Sequence, residues 1–391
     1  MTVTSPKGFR AAGVAAGLKS SGGLDVALVI NDGPDTTAAG VFTSNKFKAA
    51  PVLWSQQVLR HGIVRAVVLN SGGANACTGP GGFQDTHHTA EHVAAKLTAS
   101  GGTRAVVGAG DVAVCSTGLI GQRLPLDKLL TGVNAAVRGL ARDGGAAAAE
   151  AIMTTDTRAK TTVAQGEGWS VGGMIKGAGM LAPGLATMLC VLTTDAVADP
   201  GTLDTALRAA TARTLDRIDS DGCMSTNDTV LLLASGASGI QPTAEELFEQ
   251  VHAALDDLGR QLIGDAEGAT KEIRIEVRAA ASEVDAVAVG RAVARSNLFK
   301  TAMFGNDPNW GRILSAAGTA QADFEADNVD VAVNDVWICK GGQAAEDRSK
   351  VDLAGRDVHV LIDLGAGDAT ATIWTNDLSH GYVHENSAYS T

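Results

Sequence analysis

Aromatic residues are scarce, at 4% of 391 positions, and there are only nine prolines. No run approaches the roughly 18 consecutive apolar residues of a membrane-spanning helix. The opening Met1–Leu24 stretch, interrupted by Pro6, Lys7, Arg10 and several glycines, has no continuous apolar segment of the signal-peptide kind. A cytosolic chain without a membrane partner is expected. Basic charge is in deficit as well: 31 Lys plus Arg face 43 Asp plus Glu, and a net charge of −12 opposes any sequence-independent grip on phosphate backbones. No nucleic-acid partner is expected. Cys77, Cys115, Cys190, Cys223 and Cys339 are odd in number and contain no Cys-x-x-Cys pair, which argues against a disulfide framework and a structural zinc site. His87, His88 and His92 have one-turn spacing but no supporting Glu or Cys motif, so they read as surface histidines and no metal is expected. The Gly-x-Ser-x-Gly elbow of serine hydrolases is missing too.

What the chain does have is 45% hydrophobic residues, enough to fill a large core, and 47 glycines, which supply turns and close backbone approaches. Runs with strand character recur at Ala66–Asn70, Arg104–Val107, Met188–Thr193, Thr229–Ala234, Val329–Cys339, Val358–Asp363 and Ala369–Trp374. Helical patterns alternate with them at Thr86–Ala99, Leu126–Ala141, Thr202–Leu215 and Val284–Lys300. The clearest follows Thr243, where Glu246 completes a capping box and Leu247, Val251, Leu255, Leu258 and Leu262 mark one buried face. Gly365–Asp368, between two alternating runs, reads as a hairpin turn. The fold class is α/β, with mixed sheets layered against helices.

Gly and Ser/Thr cluster at Asn70–Gly79, Gly108–Gly121, Lys176–Thr187 and Asp219–Asp228. Gly108-x-Gly110-x-x-Ala113 and Gly177-x-Gly179-x-x-Ala182 satisfy a loose dinucleotide fingerprint. Gly118, Gly121 and Pro125 behind the first, and Pro183 and Gly184 behind the second, break the helix that fingerprint requires. In Lys176–Cys190 a glycine- and proline-bearing stretch runs directly into an apolar strand pattern, with Thr187 at the junction. A threonine hydroxyl held against the carbonyl before it can shift that acyl group from nitrogen to oxygen, and water then opens the ester. The new N-terminal amine, with an ordinary pKa of about 7.7–8.0, is a built-in base for its own hydroxyl.

Lys176-Gly-Ala-Gly-Met-x-x-Pro-x-x-Ala-Thr187-Met-Leu resembles the cleavage motif of the ornithine acetyltransferase family, also called the glutamate N-acetyltransferase or ArgJ family of arginine biosynthesis. Further similar blocks run in order along the chain: Gly40-Val-Phe-Thr-Ser-Asn45, Asn70-Ser-Gly-Gly-Ala-Asn-Ala-Cys-Thr-Gly79, Ser116-Thr-Gly-Leu-Ile-Gly121, Ile152-Met-Thr-Thr-Asp-Thr157, Ser225-Thr-Asn-Asp228, Asp307-Pro-Asn-Trp-Gly-Arg312 and Asn386. Ser71 and Gly73 depart from the more usual Asn-Ala-Gly-Asn-Ala-Asn.

The resemblance implies an ArgJ/DmpA-like α/β fold that cuts itself between Ala186 and Thr187. The products are an alpha chain, 1–186, and a beta chain, 187–391, interwoven and paired as an α2β2 heterotetramer. It implies Thr187 as the acetyl-carrying nucleophile and Thr117 and Gly118 as the oxyanion pair. Either Thr154 or Thr155, with Lys176, Thr187, Glu267, Asn386 and Thr391, would contact substrate, the last two from a tail folded back over the site. The implied reaction moves acetyl from N2-acetylornithine to L-glutamate by a ping-pong route with no resident cofactor. Acetyl-CoA is the co-substrate the resemblance leaves open. The rival within this chemistry is a threonine-nucleophile amidohydrolase or aminopeptidase, which hands the acyl group to water.

Overall fold

The computed structural model describes residues 2–101, 106–182 and 188–388; Ala186, Thr187 and Thr391 lie outside the described residues, as does much of the Arg104–Val107 run. The described strands form three sheets. The first has the order β1 (Phe9–Val14), β2 (Val26–Asn31), β4 (Ala66–Asn70), β5 (Val112–Ser116). The second has the order β3 (Thr37–Phe42), β9 (Thr229–Ala234), β8 (Leu189–Thr194), β7 (Ser170–Lys176), β6 (Lys160–Gln165). The third comprises β13 (Gln343–Ala344), β12 (Val336–Lys340), β11 (Asp330–Val333), β14 (Asp357–Asp363), β10 (Glu272–Ala280) and β15 (Ala369–Asn376).

The helices are α1 (Ala50–Val58), α2 (Gly79–Ala99), α3 (Leu126–Arg138), α4 (Gly145–Ala151), α5 (Pro200–Arg213), α6 (Ala244–Gly264), α7 (Glu283–Ala294), α8 (Asn297–Phe304), α9 (Trp310–Ala317) and α10 (His380–Ala388). None of those described is long and apolar enough to cross a membrane.

The layering follows from strand periodicity. Successive strand side chains face opposite ways, and on β8 and β9 both sets are apolar. Leu189, Val191, Leu231 and Leu233 join the core shared with the first sheet, while Cys190, Leu192, Val230 and Leu232 pack with α5 and α6. The first two sheets therefore stack face to face, with helices outside. The third sheet shows the other pattern. Ile273, Ile275 and Val277 of β10 are buried under α7–α9, and the intervening Arg274, Glu276 and Arg278 lie half-buried on the opposite face.

The capping box forms as expected: the Thr243 side chain accepts the Glu246 N–H, and Glu246 accepts the Thr243 N–H. Three expectations are corrected. Gly365–Asp368 does not close a hairpin, because β10 lies between β14 and β15, parallel to the first and antiparallel to the second. Val284–Lys300 is two helices, broken where the Ser296 side chain caps α8 by accepting the Phe299 N–H. Val329–Cys339 is likewise two strands, β11 and β12, turned at Asn334 and Asp335, both with positive φ.

Candidate active site

The turn joining β7 to β8 carries the cleavage motif. These strands are antiparallel neighbours, with Lys176 opposite Leu189, so residues 177–188 form a connection whose ends the second sheet fixes. Around it lies one cavity lined by Thr117, Gly118, Thr154, Thr155, Lys176, Glu267 and Asn386, with Met180 and Ser225–Asn227 completing the wall. Every described residue of the expected site reaches this cavity.

Thr117 and Gly118 follow β5 in a tight turn. Gly118 has φ +130, and a Cβ there would meet the Gly73 backbone nitrogen at 2.7 Å, so only glycine fits both the conformation and the approach. The turn is tied to the Asn70–Gly79 loop by the Gly73 N–H to the Thr117 carbonyl (2.9 Å) and the Ala74 N–H to the Leu119 carbonyl (3.0 Å). Asn227 clamps both loops, its amide donating to the carbonyls of Ala74 (2.6 Å) and Ser116 (2.8 Å). Ser71, one of the two departures, turns its hydroxyl to the Ala151 carbonyl (2.6 Å), behind the cavity wall.

Lys176 ends β7 and is 2% exposed, not the solvated loop lysine its glycine-rich neighbourhood would permit. Its Nζ stands 3.5 Å from the Thr117 hydroxyl. Burial lowers its pKa, with Asp156 opposing and Lys160 reinforcing the shift. Asp156 is the hub beneath it: Oδ1 accepts the Gly177 N–H (2.7 Å) and Lys160 Nζ (2.6 Å), and Oδ2 accepts the Thr154 N–H (3.0 Å). Burial pushes Asp156 up, but Lys176 and Lys160 outweigh it and hold the carboxyl below its usual range. Lys160 also donates to Asp265 (2.5 Å), which accepts from Thr157 in turn.

Glu267 sits in the loop after α6. Oε1 accepts the Thr155 hydroxyl (2.7 Å) and Oε2 the Asn386 amide (3.0 Å). A Cβ on Gly179 would come within 2.4 Å of Oε2, so the glycine of the motif is what admits the carboxylate. Asn386 arrives on α10, which is anchored where the Ser379 hydroxyl donates to the Gly268 carbonyl (2.5 Å). Both adjacent threonines line the cavity; the Thr155 hydroxyl is engaged by Glu267, and that of Thr154 makes no hydrogen bond among the described residues.

Other stretches singled out in the sequence lie apart from the cavity. Gly108-x-Gly110-x-x-Ala113 leads into β5, not a helix, so it lacks the helix N-terminus a pyrophosphate needs. The Asp307–Arg312 block caps α9 through Asn309 and packs beside the third core, away from the cavity. His87 and His88 are exposed on α2, and no metal-holding cluster occurs among the described residues. Reading the motifs missed the charges behind the site, Asp156, Lys160 and Asp265. The four-residue spacing of Asp156 and Lys160 was the available signal, but α4 has ended by then and their pairing comes from the fold.

Comparison with known proteins agrees with the motif reading. A family model described as the ArgJ family matches residues 10–391. The chain is 64% identical to the arginine biosynthesis bifunctional protein ArgJ of Streptomyces avermitilis over 391 residues, covering 100% of both. It is 62% identical to that of Thermobifida fusca, again over 100% of both chains. Among solved structures it is similar to the ornithine acetyltransferase of Mycobacterium tuberculosis in complex with ornithine, at 61% identity over 48% of this chain and 96% of that one, with a TM-score of 0.45. Matched over nearly its whole length and at such identity, the chain belongs to the ArgJ family, whose curated members are bifunctional enzymes of arginine biosynthesis.

Proposed function

We propose that the chain cuts itself between Ala186 and Thr187 and then moves acetyl from N2-acetylornithine to L-glutamate through an ester on Thr187. In the first half-reaction the Thr187 hydroxyl attacks the acetyl carbonyl, and its own α-amine takes the hydroxyl proton. Thr117 and Gly118 hold the developing oxyanion. Ornithine leaves, glutamate enters, and its amine attacks the ester. Lys176 binds the substrate carboxylate, a role an ammonium fixed at the end of a strand performs at little cost in order. Glu267 faces the substrate ammonium and assists proton transfer, while Thr154, with Asn386 and Thr391 from the tail, completes the contacts. The two half-reactions draw on no resident metal or coenzyme.

The relatives' description as bifunctional supports a second donor, acetyl-CoA, loading the same hydroxyl. Two cut chains associate as α2β2 in the cytoplasm. The observation that carries the reading is convergence: residues as far apart in sequence as Thr117 and Asn386 line one cavity against the cleavage motif.

Intact mass spectrometry tests it. The purified protein should be two chains divided at Ala186/Thr187, and N2-acetylornithine alone should add one acetyl group to the second chain. Thr187→Ala should be a single chain with no transfer; a cut or active variant would sink the assignment. Rapid loss of the acetyl group without glutamate would favour the hydrolase chemistry.

A further inference from the structure

We propose that a second cavity, divided from the first by Glu267, is the side-chain pocket of both substrates, where the Asp221 carboxylate receives the donor's ammonium and the Arg295 guanidinium the acceptor's carboxylate. The inference rests on the transfer reading above. That reaction sets a problem of charge. N2-acetylornithine and glutamate share an α-carbon, its carboxylate and its nitrogen, and their side chains end in opposite charges the same number of bonds away. In a ping-pong exchange both enter one site in turn, so one wall has to accept either charge.

The second cavity measures about 150 Å³, and Asp221, Glu267, Arg295, Asn297, Lys300 and Tyr382 are among the residues that line it. It adjoins the first through shared residues and direct bonds. Glu267 lines both. Met180, in the wall of the first, donates its N–H to Asp221 Oδ2 at 2.6 Å. Asn386, also of the first, donates to the carbonyl of Tyr382, one turn earlier on α10, at 3.0 Å. A substrate held by Lys176 in the first cavity extends its side chain past Glu267 into the second.

Not every charge there is open to a ligand. The Lys300 ammonium already donates to the Ser220 and Asn376 carbonyls and the Thr375 hydroxyl. Asp377 accepts the N–H groups of Thr270 and Lys271 and the Thr270 hydroxyl. Asp221 differs, because its oxygens take backbone N–H groups, those of Met180 and Cys223 among them, and no ion pair reaches it among the described residues. Burial raises its pKa, with the Cys223, Met180 and Leu181 N–H groups and then Lys300 opposing, and a ligand ammonium would complete that compensation. Arg295, just after α7, donates through Nε to Asp219 Oδ2 at 2.7 Å. Its side chain is 49% exposed, and its terminal nitrogens make no hydrogen bond among the described residues, which leaves donors for a carboxylate. The Asn297 amide and Tyr382 hydroxyl can each donate to a carboxylate or accept from an ammonium.

The test measures the two half-reactions separately on the cut enzyme, by intact mass after rapid mixing: acetyl loading from N2-acetylornithine, then acetyl loss to glutamate. The probes are N-acetylnorvaline, which lacks the donor's ammonium, and glutamine, which lacks the acceptor's charge. Wild type should prefer N2-acetylornithine to N-acetylnorvaline, and glutamate to glutamine, each by about tenfold or more in second-order rate. Asp221→Asn should lose the first preference and keep the second. Arg295→Gln should lose the second and keep the first, and Arg295→Lys should restore part of it. Each preference is a ratio within one protein, so a general loss of activity does not imitate the result. Wild type without the preferences overturns the pocket, as do variants that keep both ratios or lose both together. If Asp221→Asn is not cut, the wild-type ratios and the Arg295 variants decide by the same criteria. A wild-type chain that takes up no acetyl group would instead overturn the transfer reading itself.

Discussion

At the scale of single residues, the site is held from behind by charge. Lys160 is wholly buried between Asp156 and Asp265. Removing one partner of such a group leaves a charge the interior cannot solvate. Asp156→Ala, made in the Thr187→Ala background so that one chain unfolds, should lose roughly 3–5 kcal/mol in urea titration; a loss under about 1 kcal/mol would mean that Asp265 alone satisfies Lys160. Glu267→Gln should leave cleavage largely intact, because Thr155 and Asn386 can still bond an amide, while slowing steady-state transfer. Normal turnover would remove Glu267 from the chemistry. Motifs gave most of the residues that face the cavity, since all but Glu267 sit in blocks whose order along the chain carries information. Asp156 and Asp228 stood in those same blocks unremarked, because burial and an ion pair leave no pattern in a linear string.

Among elements, those with a strong local signal formed where expected. The Thr243 box starts α6, and the leucines after it face the core with the spacing they have in sequence. Where the third sheet forms, pairing overrode neighbourhood: β14 and β15 follow one another in sequence yet flank β10, which arrives from far upstream. Turn residues between them could not reveal a strand inserted from elsewhere. The same region holds Lys300 on α8, whose ammonium donates to the carbonyls of Ser220 (2.6 Å) and Asn376 and to the Thr375 hydroxyl (3.1 Å). Burial, opposed by Asp221, Asp219 and Asp377, lowers its pKa to about 8. An unfolded lysine titrates near 10.4, so between the two values the unfolded chain binds the extra proton and stability rises with pH. Lys300→Met abolishes that term. The urea midpoint gap between the parent and Lys300→Met should widen as pH climbs through this window, and a constant gap would show that Lys300 keeps its ordinary proton affinity.

For the whole molecule, the proposed cut falls between β7 and β8, neighbours in one sheet. Each proposed fragment contributes strands to the second sheet: β3, β6 and β7 from the first, β8 and β9 from the second. The two fragments should co-elute in gel filtration after cleavage and separate only in denaturant; dissociation on simple dilution would contradict so continuous a ladder. The α/β class could be read from composition, and the residues that meet at the cavity from motif order. The stacking of the first two sheets could not, because strands apolar on both faces do not say which neighbour covers each one.

The position of α10 has a consequence for what a shortened chain would keep. The three sheets and their cores are complete before His380, and Asn386, which bonds Glu267 at the cavity wall, is added to them from α10. A variant cut before His380 should keep every described strand and leave the chamber without that part of its wall. Removing α10 thus separates the making of the fold from the finishing of the site.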